Sequence, residues 1–260
     1  MKLQLLIFIC SFSTISIVAQ EETLKPMVTD RPDATESPST VPVKSLQVES
    51  GGFYTSVEEN GFKTEVYGYN TTLLRYGVLK NLEFRLGWNF EETRFELKDQ
   101  EFSNKLSGFS PLLAGVKVAI AEENGFMPQI GLLGHLYLPF TASSDYRPKN
   151  TGADFRFSFA NTLSEKSTIA YNLGAQWLDD NGELSYVYTL VYGYSITEKW
   201  GAYAEVYGDL PENNRSNHYW DAGFTYLLHP RLQLDATVGR SFSGGQDILL
   251  STGVSFRIDN

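Results

Sequence analysis

Leu82-Glu83-Phe84-Arg85-Leu86-Gly87-Trp88-Asn89-Phe90-Glu91 carries a large apolar side chain at every second position, with charged, polar or glycine residues between. An extended strand turns successive side chains to opposite faces, so this segment has one oily face and one wet, charged face. The pattern recurs downstream. Over 152–163, Phe155, Phe157 and Phe159 share a face opposite Asp154, Arg156 and Ser158. Over 184–195, Leu184, Tyr186, Tyr188, Leu190, Tyr192 and Tyr194 share one face. Over 217–228, Trp220, Ala222, Phe224, Tyr226 and Leu228 oppose Asp221, Gly223 and Thr225.

Twelve strands are expected, at 45–54, 62–76, 81–92, 107–120, 127–139, 152–163, 168–178, 184–195, 200–208, 217–228, 231–240 and 247–257. The links between them give an independent reading. Short ones follow the even strands, as at Gly77–Lys80, Ser164–Ser167 and His229–Pro230, and the largest follow odd strands, at 93–106, 140–151 and 209–216. Outer-membrane barrels have short periplasmic turns and longer outer loops, and an even strand count returns both chain ends to the periplasm. Strands of about nine to eleven residues match a tilted bilayer crossing, whereas soluble sandwich strands centre on roughly five to six. The expected fold is therefore all-β: an antiparallel transmembrane β-barrel of about 12 strands, with a soluble sandwich or barrel as the alternative.

Composition agrees. Aromatic residues make up 14% of the chain, 15 Tyr and 17 Phe among them, which suits strands and interfacial girdles. Trp88, Trp177, Trp200, Trp220 and Tyr194 fall near expected strand ends. A formal charge of −10 argues against nucleic acid, whose binding rests on Lys and Arg meeting phosphate.

The N-terminus reads as an export signal over residues 1–19: Met1-Lys2, an apolar run from Leu3 to Val18, and Ile17-Val18-Ala19 as the cleavage site before Gln20. The single cysteine, Cys10, lies inside it, so a mature chain holds no thiol for disulfides, thiolate metal sites or nucleophilic catalysis. Residues 20–44 differ in kind. Pro26, Pro32, Pro38 and Pro42 punctuate a Ser-, Thr-, Asp- and Glu-rich stretch that cannot be helical. It is either a loose exported tail or a segment lodged in the barrel mouth. Residues 45–260 form the barrel.

With the oily sets facing lipid, strand parity assigns the lumen. Glu49, Glu83, Arg85, Lys117, His135, Asp154, Arg156, Glu205, Asp221 and Asp235 are the candidate lining residues, with Asn89, Glu91, Gln129, Asn172, Gln176 and Arg257 sharing their parity. Two readings stay open: charges that pair across a filled lumen, or charges that line a narrow aqueous path. Catalysis has little support. His229 precedes Pro230 in a turn, Ser216 and His218 sit in no hydrolase motif, and His135 stands alone. No metal-ligand spacing or phosphate-cradling loop occurs, and Gly244-Gly245 reads as a loop tip. No cofactor is expected.

Thr29-Asp30-Arg31-Pro32-Asp33-Ala34-Thr35-Glu36-Ser37-Pro38, followed by Leu46-Gln47-Val48-Glu49-Ser50-Gly51, resembles the opening of the phenol-degradation-pathway outer-membrane family, whose members are often labelled transporters. Leu74-Arg75-Tyr76-Gly77 and Leu82-Glu83-Phe84-Arg85 resemble its second and third strands, and the similarity runs over most of 28–257. The Val18-Ala19-Gln20 end is similar to signal ends of Bacteroidetes secretory proteins. The resemblance implies an exported barrel in the outer membrane of a Gram-negative bacterium, in contact with outer-membrane lipid, and uptake of hydrophobic or aromatic compounds. It also implies that Asp30, Arg31 and Asp33, fixed in the motif, form a plug, with Arg31 expected to meet a carboxylate such as Glu49 or Glu83. Passive passage of a small solute is the leading function; a filled structural or surface-interaction barrel and an outer-membrane hydrolase are the alternatives.

Overall fold

The computed structural model describes residues 26–97, 100–178, 180, 182–242 and 245–259. The expected export signal with Cys10, and Gly244, lie outside them. Among the described residues thirteen strands are present: β1 (Leu46–Glu59), β2 (Phe62–Leu79), β3 (Leu82–Leu97), β4 (Gln100–Phe109), β5 (Leu112–Ala121), β6 (Gln129–Leu138), β7 (Gly152–Ser164), β8 (Ser167–Trp177), β9 (Ser185–Ser195), β10 (Trp200–Pro211), β11 (Asn217–His229), β12 (Leu232–Ser241) and β13 (Ile248–Ile258). Each pairs antiparallel with its neighbours, and β13 pairs with β1 from Leu46↔Ile258 to Ser56↔Ile248, which closes the sheet into a barrel.

Thirteen strands make twelve staves because β4 and β5 are two halves of one. The outer half of β3 pairs with β4 and its lower half with β5. Ser110-Pro111 separates them; proline has no N–H to give the ladder and fixes its own φ, so the stave breaks there. Only β5 continues pairing, with β6. The free edge of β4 is met instead by the loop after β6: Phe109 N–H donates to Ser143 Oγ (2.9 Å), Ser143 N–H to Phe109 O (3.0 Å) and Ser107 N–H to Asp145 Oδ2 (3.1 Å). An uncovered strand edge would offer its unpaired N–H and C=O groups to another chain.

This overturns one expected loop. Residues 93–106 are mostly strand, with β3 reaching Leu97 and β4 starting at Gln100. Likewise β1 extends to Glu59, and the Asn60-Gly61 turn closes the β1–β2 hairpin with positive φ at both residues (54° and 79°), as a type I′ turn requires. The outward face of β3 explains the extra length. Phe84, Leu86, Trp88 and Phe90 are followed on the same face by Glu92 and Arg94, with Glu92 paired to Arg94 at 2.7 Å and also to Lys105. The oily band ends between Phe90 and Glu92, and the hairpins continue beyond it with a charged outer face. For the same reason Trp88 lies inside β3 rather than at its end, while Trp177, Trp200 and Tyr194 hold terminal or near-terminal positions.

Parity is as the sequence pattern implies. Phe84, Phe155, Phe157, Leu190, Tyr192 and Phe224 are exposed on the outside. Glu49, Glu83, Arg85, Lys117, His135, Asp154, Glu205, Asp221 and Asp235 are buried, each with at most 5% of its surface exposed, and Arg156 is half-buried. Charged residues enclosed by an oily shell are the inverse of a soluble domain.

Candidate functional site

The lumen is built around residues 26–45. Met27 N–H donates to Pro230 O at 2.9 Å, in the β11–β12 turn. At the other end Lys44 N–H donates to Gly77 O at 2.8 Å and Val43 forms a parallel bridge with Gly77. Between these anchors the chain loops through the barrel, consistent with its prolines, which leave it unable to join the ladder.

Asp30 is the hub. Its carboxylate takes hydrogen bonds from Arg85 (2.7 Å) and Lys117 (2.9 Å) and lies 3.1 Å from the Arg75 guanidinium. Burial alone would push this carboxyl up; Arg75, Lys117 and Arg85 outweigh it and hold Asp30 well below the ordinary aspartate range. The same cations serve the acids around them. Arg75 pairs with Glu49 and Glu83, both at 2.9 Å, and Arg85 grips Glu36 through two bonds of 2.8 and 3.0 Å. The wall acids also accept from the segment's backbone: Glu49 from Asp30 and Arg31 N–H (2.9 Å each), Glu83 from Val41 N–H (2.8 Å) and Glu205 from Ala34 N–H (2.7 Å). A proline-rich loop has no ladder of its own, so its buried N–H groups need such partners.

Arg31 does not meet Glu49 or Glu83 through its side chain. It forms a two-bond pair with Asp235 on β12 (2.8 and 3.2 Å) and reaches Ser251 Oγ at 3.1 Å. Glu49 and Glu83 are already held by Arg75, and Glu49 faces the Arg31 backbone, so the guanidinium turns along the wall, over β13 to β12, two strands from Glu49. It lies flat over two wall glycines: a Cβ on Gly51 or Gly253 would strike it. Gly131 is shaped in the same way to Pro38, and Gly77 to the carbonyls of Val41 and Pro42. Four glycines on three separate parts of the wall are thus fitted to one segment, a close backbone approach that only glycine permits.

Asp33 points to different surroundings. Burial, then the charges of Glu205 and Asp221, push its carboxyl well above the ordinary range. Asp221 is the cross-strand neighbour of Glu205. Arg156 lies beside them, its guanidinium 3.4 Å from Ala34 O. His135 and Asp154 form a separate pair (Nδ1 to Oδ1, 2.8 Å), with Tyr137 also donating to Asp154 at 3.0 Å. No hydroxyl reaches His135 Nε2 among the described residues. His218 Nδ1 bonds Tyr188 OH (2.8 Å) on the outer face, and His229 Nδ1 accepts from Arg231 N–H in its turn (3.2 Å). Among the described residues no three or more His, Cys, Asp or Glu side chains are arranged to hold a metal ion.

Arg75, Glu36 and the fitted glycines were not among the sequence candidates. β2 carries two bulges, at Gly68/Asn70 and Gly77/Leu79, which blur its alternation. Counting inward from Leu74 and Tyr76, both outward, would have placed Arg75. Glu36 stood within the quoted motif, but nothing local marks it as facing Arg85.

The segment divides the space inside the barrel. An outer cavity of about 340 Å³ lies between Arg31, Glu36 and Arg85 and the wall at Gly87, Trp88 and Pro111. An inner one of about 540 Å³ lies between the segment and the β7–β11 wall, reaching Lys166 and Ser195 near the periplasmic turns.

Residues 29–258 match the model of the family described as Putative MetA-pathway of phenol degradation. The chain belongs to that family. This family member also resembles solved barrels. The COG4313 outer membrane channel from Pseudomonas putida F1 aligns over 85% of this chain and 97% of its own, with 15% identity and a TM-score of 0.63. The translocator domain of autotransporter NalP from Neisseria meningitidis aligns over 84% and 90%, with 12% identity and a TM-score of 0.52. The KdgM porin aligns over 82% and 99%, with 9% identity and a TM-score of 0.52. At such identities the likeness shows the fold: an outer-membrane-type β-barrel. No curated protein matches the chain in sequence.

Proposed function

We propose that this barrel lies in the outer membrane of a Gram-negative bacterium and passes a small solute passively, with residues 26–45 as a built-in constriction. One observation carries the reading: the segment is bonded to β1, β2, β3 and β5 on one side and to β8, β9, β10 and β12 on the other, yet leaves water-sized space on both its outer and inner sides. A lumen meant only to be filled needs neither cavity. The family description and the channel and porin neighbours support the same reading, and the family description favours a hydrophobic or aromatic solute.

The test is single-channel conductance in planar bilayers for the full chain and for a form lacking residues 21–40. Conductance rises on deletion if the segment constricts a channel. Equal conductance, or none from either form, overturns the proposal and favours a filled structural barrel.

A further inference from the structure

The outward face of the wall carries a trough over β9–β11. Ala204 on β10 and Ala222 on β11 are cross-strand partners on that face. Other outward pairs set large side chains together, as at Phe84↔Tyr76 and Phe159↔Tyr171; here two methyl groups leave the floor low. Leu190 and Tyr192 on β9, Trp220 on β11 and Phe242, just past the end of β12, bound a space of about 560 Å³. That is the scale of a ligand pocket, roughly 300–1,000 Å³, and the outward side chains around it are apolar or aromatic.

The outer end of the trough is polar. Phe242 N–H donates to His218 O at 2.8 Å, which ties the end of the trough to β11. His218 Nδ1 lies 2.8 Å from Tyr188 OH. The two rings meet across β10 because residue 208 is glycine: a Cβ there would lie 3.0 Å from the Tyr188 ring. With Tyr188 donating to Nδ1, the imidazole proton sits on Nε2, an N–H donor on the far side of the ring from Tyr188. Arg240 stands beside them as the cross-strand partner of Trp220. It is exposed, on the same face as Val238, and has no ion pair or hydrogen bond among the described residues. On the β2–β4 hairpins the cations above the oily band are already matched, Lys63 by Glu65 and Arg94 by Glu92. Arg240 is therefore a free guanidinium at the upper edge of the oily belt, where a long side chain reaches the headgroup level.

We propose that this face is a lipid site: Arg240 and His218 Nε2 take the phosphate of a phosphorylated lipid of the outer leaflet, and the trough over Ala204 and Ala222 takes one of its acyl chains. Charge complementarity argues for the headgroup, because a guanidinium meets a phosphate through two parallel N–H bonds and basic sites at the membrane interface hold lipid headgroups. Continuity argues for the chain, because the trough opens onto the same hydrocarbon that Leu190, Tyr192 and Val238 already face. A free phosphate would use the cation and leave the trough empty. An alkane would fill the trough and leave the cation unpaired. A phosphorylated acyl lipid satisfies both, and Trp220 and the Phe242–His218 bond hold the two halves of the site together. The inference shares the membrane location with the channel reading and holds whether or not the lumen conducts, since every side chain in it faces outward.

The experiment is native mass spectrometry of the intact barrel released from detergent, with purified lipid A, its dephosphorylated form and inorganic phosphate offered in turn. The expected result is retention of lipid A about fivefold or more above the dephosphorylated form, with no stable phosphate adduct. Arg240→Gln should abolish that preference. Ala204→Phe, which fills the trough, should lower retention of both lipids, and Arg94→Gln, whose cation is already matched by Glu92, should change neither. Equal retention of the two lipids by the unmodified protein, or a preference untouched by Arg240→Gln, overturns the inference. So does an inorganic phosphate adduct that displaces the lipid, because the trough then adds nothing. If Ala204→Phe fails to fold, read as lost heat-modifiable migration on a gel, the smaller Ala204→Ile replaces it. Failure of this test leaves the conductance result where it was, so the two readings fall separately.

Discussion

Asp30 and Asp33 occupy one short loop, yet they sit in opposite electrostatic worlds. Asp30 faces three cations on β2, β3 and β5 and is held ionised. Asp33 faces Glu205 and Asp221 on β10 and β11 and resists ionisation. Both arise from the same physical fact, a carboxyl enclosed within an oily-shelled barrel, and the sign of the neighbours decides the outcome. The lesson is that the lumen is not uniformly lined. One wall meets the segment's carboxylate with cations, and the other meets it with carboxylates.

The largest expected effect comes from breaking the clamp. Asp30→Ala leaves Arg75, Arg85 and Lys117 facing one another without their shared partner, and removal of one member of a buried ion cluster costs about 3–5 kcal/mol. Protease cleavage within residues 26–45 of the folded barrel should accelerate by orders of magnitude. Cleavage as slow as in the unmodified protein would mean that the clamp does not hold the segment.

A smaller effect should follow from the fitted glycines. Gly253→Val places a side chain where the Arg31 guanidinium lies, and overpacking of this kind costs roughly 1–3 kcal/mol. Segment cleavage should rise, while Gly134→Ala, whose added Cβ would meet only the Asp154 carbonyl at 3.6 Å, should leave it unchanged. Equal behaviour of the two variants would show that wall shape plays no part in docking.

The smallest effect is on pH, and it sharpens the contrast between the two aspartates. The Asp30 value is depressed on docking, so its contribution is full above the ordinary aspartate value, about 3.9, and is lost as pH falls through the depressed one. The Asp33 value is raised, so its contribution is full below about 3.9 and is lost as pH rises through the raised one. Segment cleavage measured against pH should therefore have an acid limb and an alkaline limb, each changing at most about tenfold per pH unit for one proton. Asp33→Asn should flatten the alkaline limb only. A variant that alters both limbs equally would show that the two groups titrate as one cluster.

Much of this architecture is legible without coordinates, for a local reason. Strand parity is set by the backbone alone, so Phe84 and Phe157 declare the outer face while Glu83, Lys117, Asp154 and Glu205 declare the inner one, whatever their neighbours. The resemblance at Thr29–Pro38 marks the segment. Parity fails where the strand itself is irregular: at the β2 bulges, which hid Arg75, and at Ser110-Pro111, which splits one stave into β4 and β5. Loop length misleads at 93–106, because strands that rise above the bilayer exchange their oily outer face for Glu92 and Arg94 and cease to resemble membrane strands.

Alternation and proline spacing thus determined by themselves that this chain makes a barrel, which side chains turn inward, and that residues 26–42 stay out of the sheet. Tertiary structure alone decided the partners. Arg31 finds Asp235 rather than Glu49, and Asp33 rather than Asp30 faces the acids, because contacts across a lumen depend on how the closed sheet staggers and curves and on which groups neighbours have already taken. That information is spread over residues as far apart in the chain as Arg31 and Asp235, and no local pattern contains it.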